Sequence, residues 1–328
     1  MLNNDGKDSE TALIERKTMA DNGMSEHIKQ LFASARELLR PVTPRRLWGD
    51  VPVVPVVRLS GVIGMSSPLR PGLMLASVAR QLERAFATRR ARAVALLINS
   101  PGGSPVQSHL IYLRIRSLAA EKKLPVIAFA EDVAASGGYM LACAADEIIC
   151  DPSSIVGSIG VLGGTFGFPK LMEKLGIERR IYTSGERKAT LDPFLPEKPE
   201  EVERLKLIQR EIHDDFIALV KERRGAHLAG PETDLFSGEY WTGRTAVELG
   251  LVDAIGDLRS VLRERFGDKV VMPVIVPERS LLGRLRPGVG LRSVGLVGVG
   301  LEGIGRDGFA DELISALEAR ALWARYGL

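Results

Sequence analysis

Ala93-Val-Ala-Leu-Leu-Ile-Asn-Ser-Pro-Gly-Gly-Ser104 carries an uninterrupted apolar run straight into a turn built on two adjacent glycines. The run Ala93 to Ile98 reads as a buried strand, and Gly102-Gly103 as the turn at its carboxyl end. Further apolar runs lie at Val51 to Leu59, Pro125 to Ala130 and Glu147 to Cys150, and they alternate with helical patterns at Leu73 to Arg90 and Pro105 to Lys122. That order predicts an α/β fold with a largely parallel sheet and helices around it. A mostly helical segment over Pro199 to Arg224 follows, and Asp253 to Phe266 then leads to a final strand near Val270 to Val276. Folds of this class place ligands at the carboxyl ends of strands, which is where the Gly102 loop falls.

The strand pattern at Pro125 to Ala130 leads to a second such place, Asp132-Val-Ala-Ala-Ser136-Gly-Gly-Tyr139. Ser136 between a strand and the start of a helix is a candidate nucleophile. A serine hydroxyl attacks only once a base removes its proton, and a neutral lysine can be that base. A free lysine has a pKa of about 10.4, so roughly one in a thousand is neutral near pH 7.4. A lysine base therefore needs an apolar site with hydroxyl partners and no carboxylate. Lys188, in Tyr182-Thr-Ser-Gly-Glu-Arg-Lys188, is the candidate. Attack on an amide creates an oxyanion, and fixed backbone N–H groups beside it lower the barrier by about 3 kcal/mol. The amides of Gly103 and Gly137 are the expected donors, since glycine lets the backbone approach a substrate and adopt positive φ.

These segments, with Gly157-Ser158-Ile-Gly160 and Thr242-Gly-Arg-Thr-Ala-Val-Glu-Leu-Gly-Leu-Val-Asp-Ala-Ile-Gly256, resemble the signal peptide peptidase A family over about Val51 to Val276. Members are serine peptidases related in fold to ClpP and the crotonases. The resemblance implies an oligomeric ring with Ser136 as nucleophile, Lys188 as general base and Gly103 in the oxyanion hole. It also implies that Ser158 orients the lysine amine without adding negative charge. In short members the lysine is thought to come from the neighbouring protomer, so a monomer here would be inactive. Extended apolar peptides such as signal-peptide remnants are the implied substrates, with no metal or organic cofactor.

Each residue also has a plainer reading. Ser136 could be a helix N-cap, Lys188 part of a solvated cluster with Glu186 and Arg187, and Ser158 a turn residue. Their joint occurrence in the family's order favours the catalytic reading. Two rival functions share the architecture. A crotonase-like acyl-CoA enzyme would leave a Ser–Lys pair without a task, and a non-catalytic ring scaffold or peptide-binding protein would need none of Ser136, Lys188 and Ser158 together.

Other chemistries find little support. The four histidines, His27, His109, His213 and His227, lie in no nucleophile or metal-ligand motif. Cys143 and Cys150 have neither zinc nor disulfide-framework spacing and read as buried small residues in a reducing setting. Neither a Walker loop nor a dinucleotide fingerprint is present. A net charge of +3 and 5% aromatic residues give no reason to expect nucleic-acid binding.

At 328 residues, 45% hydrophobic and 26% charged, the chain has ordinary globular composition. The expected division is a polar N-terminal extension over 1–46, a peptidase core over 47–278 and a tail over 279–328. No stretch is long and apolar enough for a transmembrane helix, and Met1 to Gly23 lacks a signal peptide's apolar core. The expected location is therefore the cytoplasm or the periphery of a membrane. His27 to Leu39 has helical apolar spacing suited to packing on the core or a neighbour, or to a membrane surface. Leu281 to Gly308 is too glycine-rich for a stable helix, and Asp311 to Tyr326 has the spacing of an amphipathic helix.

Overall fold

The computed structural model describes residues 51–64, 72–185, 187–276 and 320–326. The chain divides into two compact units, Met1–Val51 and Pro52–Leu328, and the elements below belong to the second. The segment His27 to Leu39 and the glycine-rich stretch Leu281 to Gly308 lie outside the described residues.

The opening stretch forms β2 (Val94–Ser100), which pairs in parallel with β1 (Val56–Ser60) on one side and β3 (Val126–Ala135) on the other. Beyond β3 follow β4 (Glu147–Cys150) and β7 (Ala254–Ile255), giving the order β1-β2-β3-β4-β7 with every pair parallel. The short β5 (Ile155–Gly157) pairs in parallel with the end of β3, and β6 (Tyr240–Thr242) pairs antiparallel with β5. The α/β, largely parallel architecture read from the sequence is the one observed.

Both faces of the sheet are covered, which explains the unbroken apolar runs. Leu96 and Ile98 of β2 face a large core that takes in α1 (Leu75–Phe86), α2 (Pro105–Lys122), α3 (Gly137–Ala142) and the end of α5 (Pro199–Arg224). Ala95 of the same strand faces a smaller core closed by Leu262 of α8 (Leu258–Phe266). The ends of α2 follow from its sequence. Ser104 caps it by accepting from the Gln107 amide, Pro105 opens it, and Lys123 in the left-handed conformation ends it. Short helices α4 (Pro169–Leu175), α6 (Glu232–Leu235) and α7 (Gly243–Glu248) complete the described elements.

Two expectations need correction. The third strand does not stop at Ala130. It runs on to Ala135 through an irregularity opposite Ile98 to Ser100, because Val133 N–H finds the Asn99 side-chain oxygen at 3.3 Å and Ala134 regains register with Ser100. The last apolar run, Val270 to Val276, makes no regular strand. It lies beside β1 and the residues before it through isolated bridges, Val53 to Val271 and Val56 to Val274. Pro52 and Pro273 lack the N–H groups that a continuous ladder needs.

Beside helix α3 lies a buried strut. The Arg224 guanidinium donates to the Gly250 carbonyl at 2.8 and 3.2 Å and to the Asp253 carboxylate at 2.8 Å, while Asp253 accepts the Ile148 amide at 2.7 Å. The Tyr139 hydroxyl donates to the Leu251 carbonyl inside the same turn at 2.8 Å. At the opposite end of the sheet, residues 320–324 are helical, and Tyr326 packs on Val133 and Ala135. The Tyr240 hydroxyl fixes this segment by donating to the Arg325 carbonyl at 3.1 Å. Among the described residues, no helix is long and apolar enough to cross a membrane.

Candidate active site

Ser136 ends β3 and precedes α3, with φ 52° and ψ −123°. For a residue with a Cβ this is a sparsely populated conformation that costs about 1–3 kcal/mol. Its amide is anchored by donating to the Gly157 carbonyl at 2.8 Å. Ser136 does occupy the N-cap position, yet its side chain caps nothing, and the hydroxyl makes no hydrogen bond within the described residues. The plain N-cap reading therefore gives no account of this serine, whose hydroxyl is left free beside the glycine loop.

That loop comes very close. A Cβ on Gly102 would sit 2.8 Å from both the Gly137 nitrogen and the Ser136 Cβ, and one on Gly103 would run into the Ile63 carbonyl. The loop's own hydrogen bonds select which amide is left over. Gly102 N–H donates to the Ser100 hydroxyl at 3.2 Å, and that hydroxyl in turn donates to the Gly61 carbonyl at 2.7 Å. Ser104 N–H donates to the Ile63 carbonyl, and Ile63 N–H to the Gly102 carbonyl, both at 2.8 Å. The Gly103 amide, between them, has no partner among the described residues, and neither does that of Gly137, in the first turn of α3. Two unsatisfied donors thus lie close to a free hydroxyl, the inventory an oxyanion hole needs.

Ser158 is reached through the sheet. Ala135 pairs with Gly157, so the next residue of each strand, Ser136 and Ser158, continue side by side. Ser158 is also held at positive φ, 53°, by donating its amide to the Glu239 carbonyl at 2.6 Å, and Gly157 is pressed against the Trp241 ring. The residue is 4% exposed and its hydroxyl makes no hydrogen bond among the described residues.

Lys188 stands apart. It is exposed on a surface arm, and its ammonium has no hydrogen bond or ion pair among the described residues. Within one chain, then, the structure brings Ser136, Ser158, Gly103 and Gly137 together, while Lys188 is exposed and makes no hydrogen bond to any of them. The arm has a defined shape of its own. Phe168 N–H donates to the Pro193 carbonyl at 2.6 Å, Phe168 stacks on Phe194 at 5.6 Å, and Arg179 lies over Phe194 while pairing with Asp192 at 3.0 Å. It nevertheless leaves Leu162, Phe166, Leu171, Leu175, Ile177 and Tyr182 exposed.

Sequence reasoning missed how Tyr139, Trp241 and His213 support the site. The His213 Nε2 lies 3.1 Å from the Ile159 carbonyl, one residue beyond Ser158, and the helical spacing of α5 gave no hint of that contact. Cys143 and Cys150 are free and buried, and burial pushes each thiol up to about 12. Among the described residues, no group of histidine, cysteine and carboxylate side chains could hold a metal ion.

Comparison with known proteins places the chain in a family. The sequence model of peptidase family S49 matches residues 119–269, which include Ser136, Ser158 and Lys188. The chain is 32% identical over 203 residues to a Synechocystis protein named "Putative protease slr0021", of which it covers 72%. The chain belongs to peptidase family S49. Another relative of this S49 chain is "Serine protease SPPA, chloroplastic" of Arabidopsis thaliana, 32% identical over 217 residues, 65% of this chain and 32% of that protein. A much higher identity, 56% over 292 residues and 89% of this chain, links it to a Brucella abortus protein named "Na(+)/H(+) antiporter NhaA". The chain spans only 39% of the length of that protein, so the antiporter name describes a much longer polypeptide.

Proposed function

We propose that this S49 chain is a serine endopeptidase in which Ser136 attacks the scissile carbonyl and Lys188 of a neighbouring copy serves as base. One observation carries the reading. The Ser136 and Ser158 hydroxyls and the Gly103 and Gly137 amides are unpartnered at one spot among the described residues, while the proposed base is displayed on an exposed apolar arm. An arm of that composition is poorly suited to solvent, and burying it against a second copy would remove water from Lys188 and disfavour its charged form.

In the proposed reaction, neutral Lys188 takes the Ser136 proton as the oxygen bonds to the carbonyl carbon. The oxyanion is held by the Gly103 and Gly137 amides. The lysine then protonates the leaving amine, and the carbon–nitrogen bond breaks to leave an ester on Ser136. Water, deprotonated by the same lysine, hydrolyses that ester. Ser158 accepts from or donates to the amine and so orients it. Extended peptides with small or apolar side chains near the cut, such as signal-peptide remnants, are the proposed substrates. A closed ring of copies, related head to tail, is the proposed assembly.

The test is hydrolysis of fluorogenic apolar peptides by wild type, Ser136→Ala and Lys188→Ala, with the oligomer mass measured for each. Both variants are expected to assemble and to be inactive. If they are mixed one to one and allowed to exchange subunits, random pairing rebuilds a complete site at about a quarter of positions, so about a quarter of wild-type activity returns. Full activity in Lys188→Ala would refute the dyad, and a mixture that stays inactive despite subunit exchange would refute the shared site.

A further inference from the structure

Beside Ser158 the molecule has a polar groove that the proposed chemistry does not use. It encloses about 480 Å³ between helix α5 and the segment after β5, and is lined by Val161, Glu203, Lys206, Gln209, Arg210 and His213. That volume is in the range that holds a small ligand or a few peptide side chains. The helical residues recur at spacings of three and four, so they share one face of α5. The far wall is the chain leaving Ser158. Ile159 is tied to His213 at 3.1 Å, and Gly163 lies so near Gln209 that a Cβ there would meet the amide nitrogen at 2.7 Å.

Charge in this groove is unbalanced. Glu203 is engaged by Lys206 at 3.0 Å. Arg210 uses only its Nε, toward the Lys206 carbonyl at 3.4 Å, and no carboxylate among the described residues lies within ion-pair distance of it. Its two terminal nitrogens are therefore free to form the parallel pair of hydrogen bonds that a guanidinium offers to a carboxylate. A peptide seated on Ser136 that continued beside Gly160 to Gly163, where the chain becomes accessible, would reach this position.

We infer that the groove is a subsite for a carboxylate on the bound peptide, an aspartate or glutamate side chain or the chain's C-terminus, held by Arg210. It gives the site an acidic preference away from the apolar residues at the cut. The inference rests on the peptidase reading only in taking the ligand to be a peptide.

The test measures binding, so it does not depend on turnover. Full-length Ser136→Ala protein is titrated with apolar peptides carrying an uncharged dye and a single Glu or Gln at each position in turn, with Kd read by fluorescence anisotropy. At one position the Glu peptide is expected to bind about five times more tightly than the Gln peptide, a ratio that falls as salt is raised. Adding Arg210→Gln, an exposed change on the helix surface, brings the ratio to about one, and Arg210→Glu reverses it for a Lys peptide. A ratio of one at every position, a ratio that survives Arg210→Gln, or no binding of any peptide overturns the inference. Equal binding of Glu and Gln peptides with cleavage of both by wild type removes the subsite and leaves the peptidase. Selective binding without cleavage by wild type does the reverse.

Discussion

Replacing Arg224 by Met should be strongly destabilising. Its side chain is 5% exposed and pairs with Asp253 at 2.8 Å, and it supplies two further hydrogen bonds to the Gly250 carbonyl. Methionine fills much of the volume but leaves the Asp253 carboxylate with the Ile148 amide as its remaining partner. Breaking a buried pair from one side costs about 3–5 kcal/mol. Asp253 is 20% exposed, so water recovers part of its solvation, and a loss of about 3 kcal/mol is expected. For a domain of this size that lowers Tm by about 6–12 °C. Thermal unfolding followed by circular dichroism reads it directly. Adding Asp253→Asn removes the stranded charge while keeping an acceptor for Ile148, so the double variant should recover about 1–2 kcal/mol relative to Arg224→Met. A single variant within 2 °C of wild type, on a scale where ~1 kcal/mol shifts Tm by about 2–4 °C, or a double variant no more stable than the single, would refute the account of Arg224 as the partner that makes Asp253 tolerable.

Ser100→Ala deprives the Gly102 amide and the Gly61 carbonyl of their shared hydroxyl, so stability should fall by about 1–2 kcal/mol and peptide hydrolysis with it; an unchanged denaturation midpoint would count against the loop's dependence on this serine. Asp146 is held below the ordinary carboxylate range, because its burial is outweighed by hydrogen bonds from the Val126 amide, Arg116 and Arg223. A depressed folded-state value stabilises above the unfolded value of about 3.8 and is lost as pH falls through the folded one. The Tm deficit of Asp146→Asn should thus be largest above about pH 5 and shrink below about pH 4; a deficit that does not vary with pH refutes the ionic origin. With thiols pushed up to about 12, only about one in ten thousand is ionised at pH 8. Both cysteines should therefore resist a thiol reagent in the native protein and react in denaturant, and rapid native labelling would contradict their burial.

The parts of the fold legible in the sequence are those where one local signal suffices. Helices α2 and α5 begin and end where Ser104-Pro105 and Lys198-Pro199 on one side and Lys123 and Gly225 on the other place them, and β4 spans the Glu147 to Cys150 run itself. The short strands β5, β6 and β7 were not legible, because strands of two or three residues carry no periodicity and form only through their neighbours. At the site, the glycine loop and Ser136 could be located from strand-then-glycine patterns. The free Gly103 amide could not, since it depends on which groups Ser100 and Ile63 have already satisfied. Lys188 could be named but not placed, because nothing local ties residues 181–185 and 187–188 to the sheet.

Position 136 also bears on how such a chain would change over time. The backbone there, at φ 52° and ψ −123°, is one that glycine adopts without strain and any other residue resists. On the proposed mechanism, a copy released from the need to attack anything would gain stability by drifting to glycine at this single place, and any other substitution would keep the strain. If the proposed mechanism holds, serine at a glycine-shaped position at the end of a strand and the start of a helix, φ 52° and ψ −123° with its oxygen unpartnered among the described residues, is a feature to look for in other α/β backbones.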